Sequence, residues 1–121
     1  MSLNPSEFPP HVPTTIEVGA DFLTMINVMV APEGEQDRLV SLLQQGMINE
    51  MSKQPGFLSS NIHRSLDSNI VLVYAQWENV EALQAAGQVV AAGNAPNMAQ
   101  AYELGKAEYH PYEVVSIHNP Q

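Results

Sequence analysis

Residues 21–30, DFLTMINVMV, are the first strongly apolar segment of the chain, and alternate positions in it define two faces. One face would carry Phe22, Thr24, Ile26, Val28 and Val30, and the other Leu23, Met25, Asn27 and Met29. Successive side chains of a β-strand point to opposite sides of the sheet, and both sides are largely apolar here. The pattern therefore predicts a strand that is covered on both faces.

The rest of the chain alternates between helical and strand patterns. Apolar residues recur at helical spacing before Pro55-Gly56, which ends that helix. The turn-forming residues LDSN predict a hairpin, and Asn79 is a suitable N-cap for the next helix. The predicted elements are a helix at 35–54, strands at 57–65 and 69–78, helical segments at 79–88 and 96–105, and a last strand from residue 107. Pro111 favours an edge position for that last strand.

This order, β-α-β-β-α-β, predicts an α+β, ferredoxin-like fold with an antiparallel sheet. The helices of such a fold cover one face of the sheet, and we expect Leu23, Met25 and Met29 to lie on the other face. An apolar face must be buried, and the simplest cover is an identical chain related by a two-fold axis. The sequence thus predicts a homodimer.

Residues 1–20 contain four of the nine prolines and show no apolar period. Proline restricts its own backbone and favours extended geometry in the residue before it. We expect an extended, proline-rich N-terminal arm over residues 1–20, either frayed or packed on a neighbouring surface. Residues 21–121 are expected to form a single domain.

The chain has a net charge of −9, and its four cationic side chains are scattered along the sequence. Nucleic acid and an anionic membrane surface would be repelled, and no apolar run approaches the roughly 20 residues of a membrane span. The absence of cysteine excludes disulfides and thiolate chemistry, and it fits a cytoplasmic protein. Neutral or weakly acidic small molecules, or another protein, remain as partners.

Three segments, QPGFLSSNIHRSLD, VYAQWENVEAL and HPYEVVSIHN, resemble the antibiotic biosynthesis monooxygenase family. The resemblance covers about residues 21–119. It implies a ferredoxin-like domain that dimerises into an α/β barrel, with a pocket between sheet and helices in each subunit. It also implies oxidation of an aromatic, anthrone- or quinol-like molecule by molecular oxygen, without metal, haem or flavin. A substrate anion can reduce oxygen itself, so the protein needs only to orient it, stabilise it and exclude water.

Two positions depart from the family pattern. Members often carry an asparagine four residues before the strand-ending tryptophan, where this chain has Val73. Some polyketide oxygenases have a histidine in the segment that reads FLSSNI here, where this chain has Ser60. Val73 favours an alternative function, a non-catalytic small-molecule-binding or stress-associated dimeric barrel. Haem degradation is a weaker alternative, because the helix after Trp77 has no histidine to ligate iron.

The candidate catalytic residues are Trp77, Asn27 and His63. Trp77 shares a strand face with Val73, and it either plugs the end of the sheet or stacks on a flat substrate. Asn27 is the lone polar residue of its face and needs a hydrogen-bond partner, from the protein or from the substrate. Histidine titrates near neutrality, so His63 would suit a general base; alternatively it is a hydrogen-bonded residue of the hairpin.

The candidate substrate-binding residues are Tyr74, Val73, Arg64, Tyr109 and His110. Tyr74 points away from Trp77 and is alternatively a dimer-interface residue. Arg64 binds a substrate carboxylate or forms an ion pair with Asp67 or Glu78. Tyr109 and His110 border a pocket mouth or pack at the sheet edge. The histidines show no metal-ligand spacing, so we predict no metal site.

Overall fold

In the computed structural model, which describes residues 11–121, the elements follow the predicted order. The strands are β1 Leu23–Val30, β2 Phe57–Arg64, β3 Ile70–Trp77 and β4 Lys106–Tyr112; the α-helices are α1 Gln36–Asn49, α2 Val80–Ala91 and α3 Pro96–Leu104. A turn of 3₁₀-helix, Met51–Lys53, follows α1. No helix within residues 11–121 is both long enough and apolar enough to span a bilayer.

The four strands form one antiparallel sheet in the order β2-β3-β1-β4. Asn27, in the central strand β1, lies opposite Val73 of β3 on one side and opposite Tyr109 of β4 on the other. This arrangement is the ferredoxin-like α+β fold that the element order predicts. Because β4 is an edge strand, it accommodates Pro111, which has no N–H group for a further neighbour.

The hydrophobic core lies between the helices and the sheet face that carries Met25 and Met29. Leu39 and Leu43 of α1 belong to this core and are fully buried. The prediction that Leu23, Met25 and Met29 face away from the helices is therefore wrong. Both faces of β1 are apolar in sequence, so strand alternation alone does not tell which face the helices cover.

The uncovered face of the sheet carries the alternate residues of the same strands. Ile26 and Val28 of β1 and Tyr74 of β3 are half-buried there, and Val30 is 47% exposed. The face away from the helices is thus apolar along β1, through the other set of side chains, while the edge strands place polar residues such as His63 and His110 on it.

Glu50, directly after α1, caps the N-terminus of α3. Its carboxylate is buried and accepts hydrogen bonds from the backbone N–H groups of Asn97 and Met98 and from the Asn97 side chain, at 2.8–3.0 Å. The first N–H groups of a helix have no carbonyl partner within the helix. Glu50 supplies that partner, and it thereby fixes α3 relative to α1.

Residues 11–20 form neither helix nor strand and are largely exposed. Two hydrogen bonds hold them to the sheet: the Asn61 amide donates to the Thr14 hydroxyl, and the Gln76 amide donates to the Thr15 carbonyl, both at 2.8 Å. The first ten residues of the predicted arm lie outside the described residues. The division into an arm over 1–20 and a domain over 21–121 therefore stays a prediction.

Candidate active site

A cavity of about 760 Å³ lies between the covered sheet face and the helices. Its wall includes Met25, Asn27, Val73, Ala75, Trp77 and Tyr109 from the sheet and Leu43, Met47, Ala86, Met98 and Tyr102 from the helices. Pockets for drug-sized ligands typically span about 300–1,000 Å³. The cavity is therefore large enough for a polycyclic aromatic molecule.

The side chains that line this cavity are mostly apolar, and many of them are flexible or aromatic. It includes four methionines, Met25, Met47, Met51 and Met98, and four aromatic residues, Phe57, Trp77, Tyr102 and Tyr109. Flexible thioethers adapt to ligand shape and make favourable contacts with aromatic rings. None of the described residues that line the cavity is Asp, Glu, His, Lys or Arg. An ionised ligand would lack a counter-charge there, so the cavity favours a neutral or weakly acidic molecule.

Trp77 lies at one end of the cavity, at the last position of β3. It is buried, and its ring makes an edge-to-face contact with that of Phe57, with centroids 5.3 Å apart and planes at 87°. Phe57 reaches this face because the β2–β3 ladder slips at Leu58: Phe57 pairs with Trp77, whereas Ser59 pairs with Gln76. The bulge thus places two aromatic rings side by side in the cavity wall.

Two buried polar atoms of the wall lack a hydrogen-bond partner among the described residues: Asn27 Oδ1 and Trp77 Nε1. Asn27 is 2% exposed and Trp77 is 3% exposed. Leaving a buried polar group unsatisfied costs about 1–3 kcal/mol, so nearly all such groups in proteins are paired. One acceptor and one donor of the cavity-lining residues thus lack a partner among the described residues.

The side-chain nitrogen of Asn27 donates to the hydroxyl of Tyr102, in α3, at 3.3 Å. Burial raises the pKa of Tyr102 from 10.0 to about 12; Tyr109 adds to this shift and the hydrogen bond from Asn27 opposes it. The hydroxyl therefore stays protonated at neutral pH and can donate a hydrogen bond. The contribution of the protonated Tyr102 hydroxyl to the free energy of unfolding is complete below pH 10 and is lost as the pH rises towards 12.

The structure places four of the predicted site residues around this cavity: Trp77, Asn27, Val73 and Tyr109. Val73 is buried directly opposite Asn27 in the neighbouring strand. Tyr109 pairs with Asn27 on the other side and is 51% exposed, so it borders the opening of the cavity. Three adjacent strands thus contribute to one wall.

The other four predicted site residues, Tyr74, His63, His110 and Arg64, do not line the cavity. Tyr74 and His110 pair with Ile26, and His63 pairs with Leu72, which places all three on the uncovered face. Arg64 forms an ion pair with Asp37 of α1 at 2.9 Å, a partner that the sequence did not suggest. In residues 11–121, no cluster of three His, Cys, Asp or Glu side chains could hold a metal ion.

A second, wider crevice of about 1250 Å³ lies between residues 11–17, α1 and the edge strand β2. His63 lines this crevice, and Met47 and Phe57 line both spaces. The unpartnered buried polar atoms found in the described part of the chain all lie outside its wall. The smaller cavity is therefore the better candidate for a specific binding site.

Tyr102 and Phe57 were not predicted as site residues. The strand pattern around Phe57 places it with Ser59 and Asn61, and only the bulge turns it to the cavity. Tyr102 lies in a short helix whose sequence carries no sign of its contact with Asn27, 75 positions away. The one signal available was the requirement that a buried asparagine find a partner.

Comparison with known proteins agrees with this architecture. The family model described as antibiotic biosynthesis monooxygenase matches residues 22–91. Over 68 residues the chain is 38% identical to tetracenomycin-F1 monooxygenase of Streptomyces glaucescens, a match that covers 54% of this chain and 58% of that protein. The chain thus matches less than two thirds of the length of this curated relative.

Solved structures share the fold. SnoaB, a cofactor-independent oxygenase from Streptomyces nogalater, has a TM-score of 0.67 at 21% identity, over 81% of this chain and 97% of SnoaB. A monooxygenase from the gene ActVA-Orf6 of Streptomyces coelicolor, in complex with nanaomycin D, has a TM-score of 0.59 at 26% identity, over 84% of this chain and 93% of that one. Since the family model matches more than half of the sequence, including Asn27, Val73 and Trp77, this chain belongs to the antibiotic biosynthesis monooxygenase family.

Proposed function

We propose that this protein is a cofactor-independent monooxygenase that oxidises a flat aromatic molecule, of the anthrone or quinol type, with molecular oxygen. The observation that carries the proposal is the apolar cavity in which Asn27 Oδ1 and Trp77 Nε1 lie buried without partners among the described residues. The relatives support it: one is a tetracenomycin-F1 monooxygenase, one is a cofactor-independent oxygenase, and one holds nanaomycin D.

In the proposed reaction, a CH₂ group of an anthrone-like substrate becomes a carbonyl group. The substrate carbon loses a proton, and the resulting anion passes electrons to oxygen and forms a C–O bond. Loss of the second proton from that carbon and cleavage of the O–O bond give the carbonyl and one molecule of water. The substrate supplies all the electrons that oxygen accepts, so the reaction requires no further reductant.

The protein contributes binding, orientation and a dry environment. Trp77 stacks on the substrate and donates its N–H to a substrate oxygen, while Asn27 Oδ1 accepts a hydrogen bond from a substrate hydroxyl. Val73 and Tyr109 complete the wall. No described lining residue can act as a base at neutral pH, so stabilising the substrate anion is the main way to lower the cost of deprotonation. Tyr74, His63, Arg64 and His110 take no part in the proposed site.

Oxygen uptake with a panel of anthrones and quinols tests the proposed function. Trp77→Phe removes the indole N–H and part of the stacking surface, and should lower kcat/KM about tenfold, which is about 1.4 kcal/mol of transition-state stabilisation. Leu66→Ala is the control, since Leu66 is 99% exposed in the hairpin turn. With labelled oxygen gas, one labelled atom should enter the product. Absence of uptake with the whole panel, or full uptake in Trp77→Phe, would contradict the proposal.

We also propose that the protein is a homodimer in which two uncovered sheet faces pack together. This face presents Val30 and Tyr112, each 47% exposed, beside the half-buried Ile26 and Val28. Two apolar sheet faces pack stably at a separation of about 10 Å.

Val28→Asp should dissociate this dimer, because it would bury an unpaired carboxylate from each chain near the centre of the interface. Light scattering should give twice the 13.2 kDa mass of one chain for the wild type and a single-chain mass for the variant. Leu66→Asp adds the same charge at an exposed position and should remain dimeric. A wild-type protein of single-chain mass in dilute solution would disprove this assembly.

The second candidate function is that of a non-catalytic binding protein. It is favoured by Val73, which places an apolar side chain directly opposite Asn27 and leaves the wall with few polar groups. Such a protein would bind members of the same panel without oxygen uptake. Haem degradation is not proposed, because no histidine is found among the described residues that line the cavity.

A further inference from the structure

Tyr102 lies in α3, outside the region of residues 22–91 that the family model matches. The residue is 36% exposed, but its hydroxyl accepts a hydrogen bond from Asn27, which is 2% exposed. It lines the cavity and contacts Asn27, in the central strand of the sheet. A helix outside the matched region therefore contributes a polar group to the middle of the candidate site.

The direction of the Asn27–Tyr102 hydrogen bond leaves two groups available. Asn27 Nδ2 donates to the tyrosine oxygen, so the O–H hydrogen of Tyr102 is not used in this bond. Asn27 Oδ1 is buried and accepts from no described residue. One donor and one acceptor thus lie next to each other in a wall whose described residues include no charged side chain.

The position of this pair is separate from that of the Trp77 N–H group. Val73 lies opposite Asn27 and offers no polar atom, so Tyr102 supplies the hydroxyl donor at this level of the sheet. Trp77 is four positions further along β3, about 13 Å away at about 3.3 Å per residue. Tyr102 and Trp77 therefore face different parts of a bound polycyclic molecule.

We propose that Tyr102 is a catalytic residue that donates a hydrogen bond to the substrate carbonyl oxygen on which negative charge develops, while Asn27 Oδ1 accepts one from a hydroxyl beside that carbonyl. This inference rests on the proposed monooxygenase function. A positioned donor in an apolar cavity stabilises an oxyanion strongly, because it needs no reorganisation when the charge appears. The pKa of about 12 keeps the proton on Tyr102 throughout the neutral range.

Binding is tested first, with naphthoquinone and naphthalene as probes of equal ring size that differ in their carbonyl oxygens. Calorimetry gives the ratio of their two dissociation constants for each protein. Tyr102→Phe should reduce the preference for naphthoquinone about fivefold to tenfold, since it removes one hydrogen bond worth about 1 kcal/mol. Tyr112→Phe makes the same change on the uncovered face and should leave the preference unaltered.

Turnover distinguishes a catalytic role from a structural one. In oxygen uptake with an anthrone, Tyr102→Phe should lower kcat about tenfold or more and change KM much less. The reason is that the hydrogen bond from Tyr102 strengthens as negative charge develops on the substrate carbonyl oxygen. Loss of a merely structural contact would lower thermal stability and leave kcat of the folded enzyme intact, so the melting temperature is measured in parallel.

The outcomes separate this inference from the proposed function. If Tyr102→Phe keeps the wild-type preference for naphthoquinone and the wild-type kcat while Trp77→Phe loses activity, the role of Tyr102 is disproved and the monooxygenase function stands. If the wild type shows the preference and Tyr102→Phe loses it, but no substrate consumes oxygen, the donor role in binding stands and the catalytic claim falls with the proposed function.

Discussion

Replacing Glu50 with alanine is expected to lower the free energy of unfolding by about 3 kcal/mol, the largest effect that we predict on stability. Three donors from Asn97 and Met98 end on this one buried carboxylate. Hydrogen bonds to a charged group contribute about 1.5–3 kcal/mol each, and removing the acceptor leaves the α3 amides partly buried without a partner. Because α3 also carries Met98 and Tyr102, the same change should loosen the wall of the cavity.

Chemical denaturation measures this effect, with two control variants. Glu33→Ala removes an exposed carboxylate that precedes α1, and it should change stability by less than about 0.5 kcal/mol. Glu50→Gln keeps one side-chain oxygen as an acceptor but loses the charge. Its free energy of unfolding should lie between those of Glu50→Ala and Glu33→Ala. If Glu50→Ala were as stable as Glu33→Ala, then Glu50 would not hold α3 in solution.

Replacing Ala86 with phenylalanine is expected to weaken ligand binding at least 100-fold. Ala86 is the buried residue of α2, and its side chain lines the cavity. A phenyl ring at this position would occupy the space that a flat ligand needs. A loss of this size corresponds to about 2.7 kcal/mol of binding free energy. Calorimetry with naphthoquinone measures it, and thermal unfolding shows whether the variant retains its fold.

Ala85→Phe is the matched control for this prediction. Ala85 is the preceding residue of α2, is exposed and does not line the cavity, so the same substitution there should leave binding intact. If Ala86→Phe folds normally and binds naphthoquinone like the wild type, the ligand site lies elsewhere, and the wider crevice near His63 becomes the next candidate.

Much of the fold follows from local features of the sequence. Turn residues, proline and glycine separate the apolar segments, and the spacing within each segment identifies it as helix or strand. Asn79 begins α2 as predicted, since its side chain accepts a hydrogen bond from the N–H of Ala82. The strand alternation also places Trp77 on the same face as Val73 and Ala75, and all three line the cavity. These properties depend on neighbouring residues along the chain, so local patterns suffice to predict them.

Contacts between distant segments decided the remaining features. Strand alternation assigns residues to two faces, but it does not tell which face the helices cover, and β1 is apolar on both. The bulge at Leu58 reverses the direction of Phe57, the partner of Asn27 comes from α3, and Glu50 caps a helix that begins 46 positions later. The elements of the fold are thus encoded in short-range periodicity. The polar groups of the candidate site are placed by packing between segments that no local pattern connects.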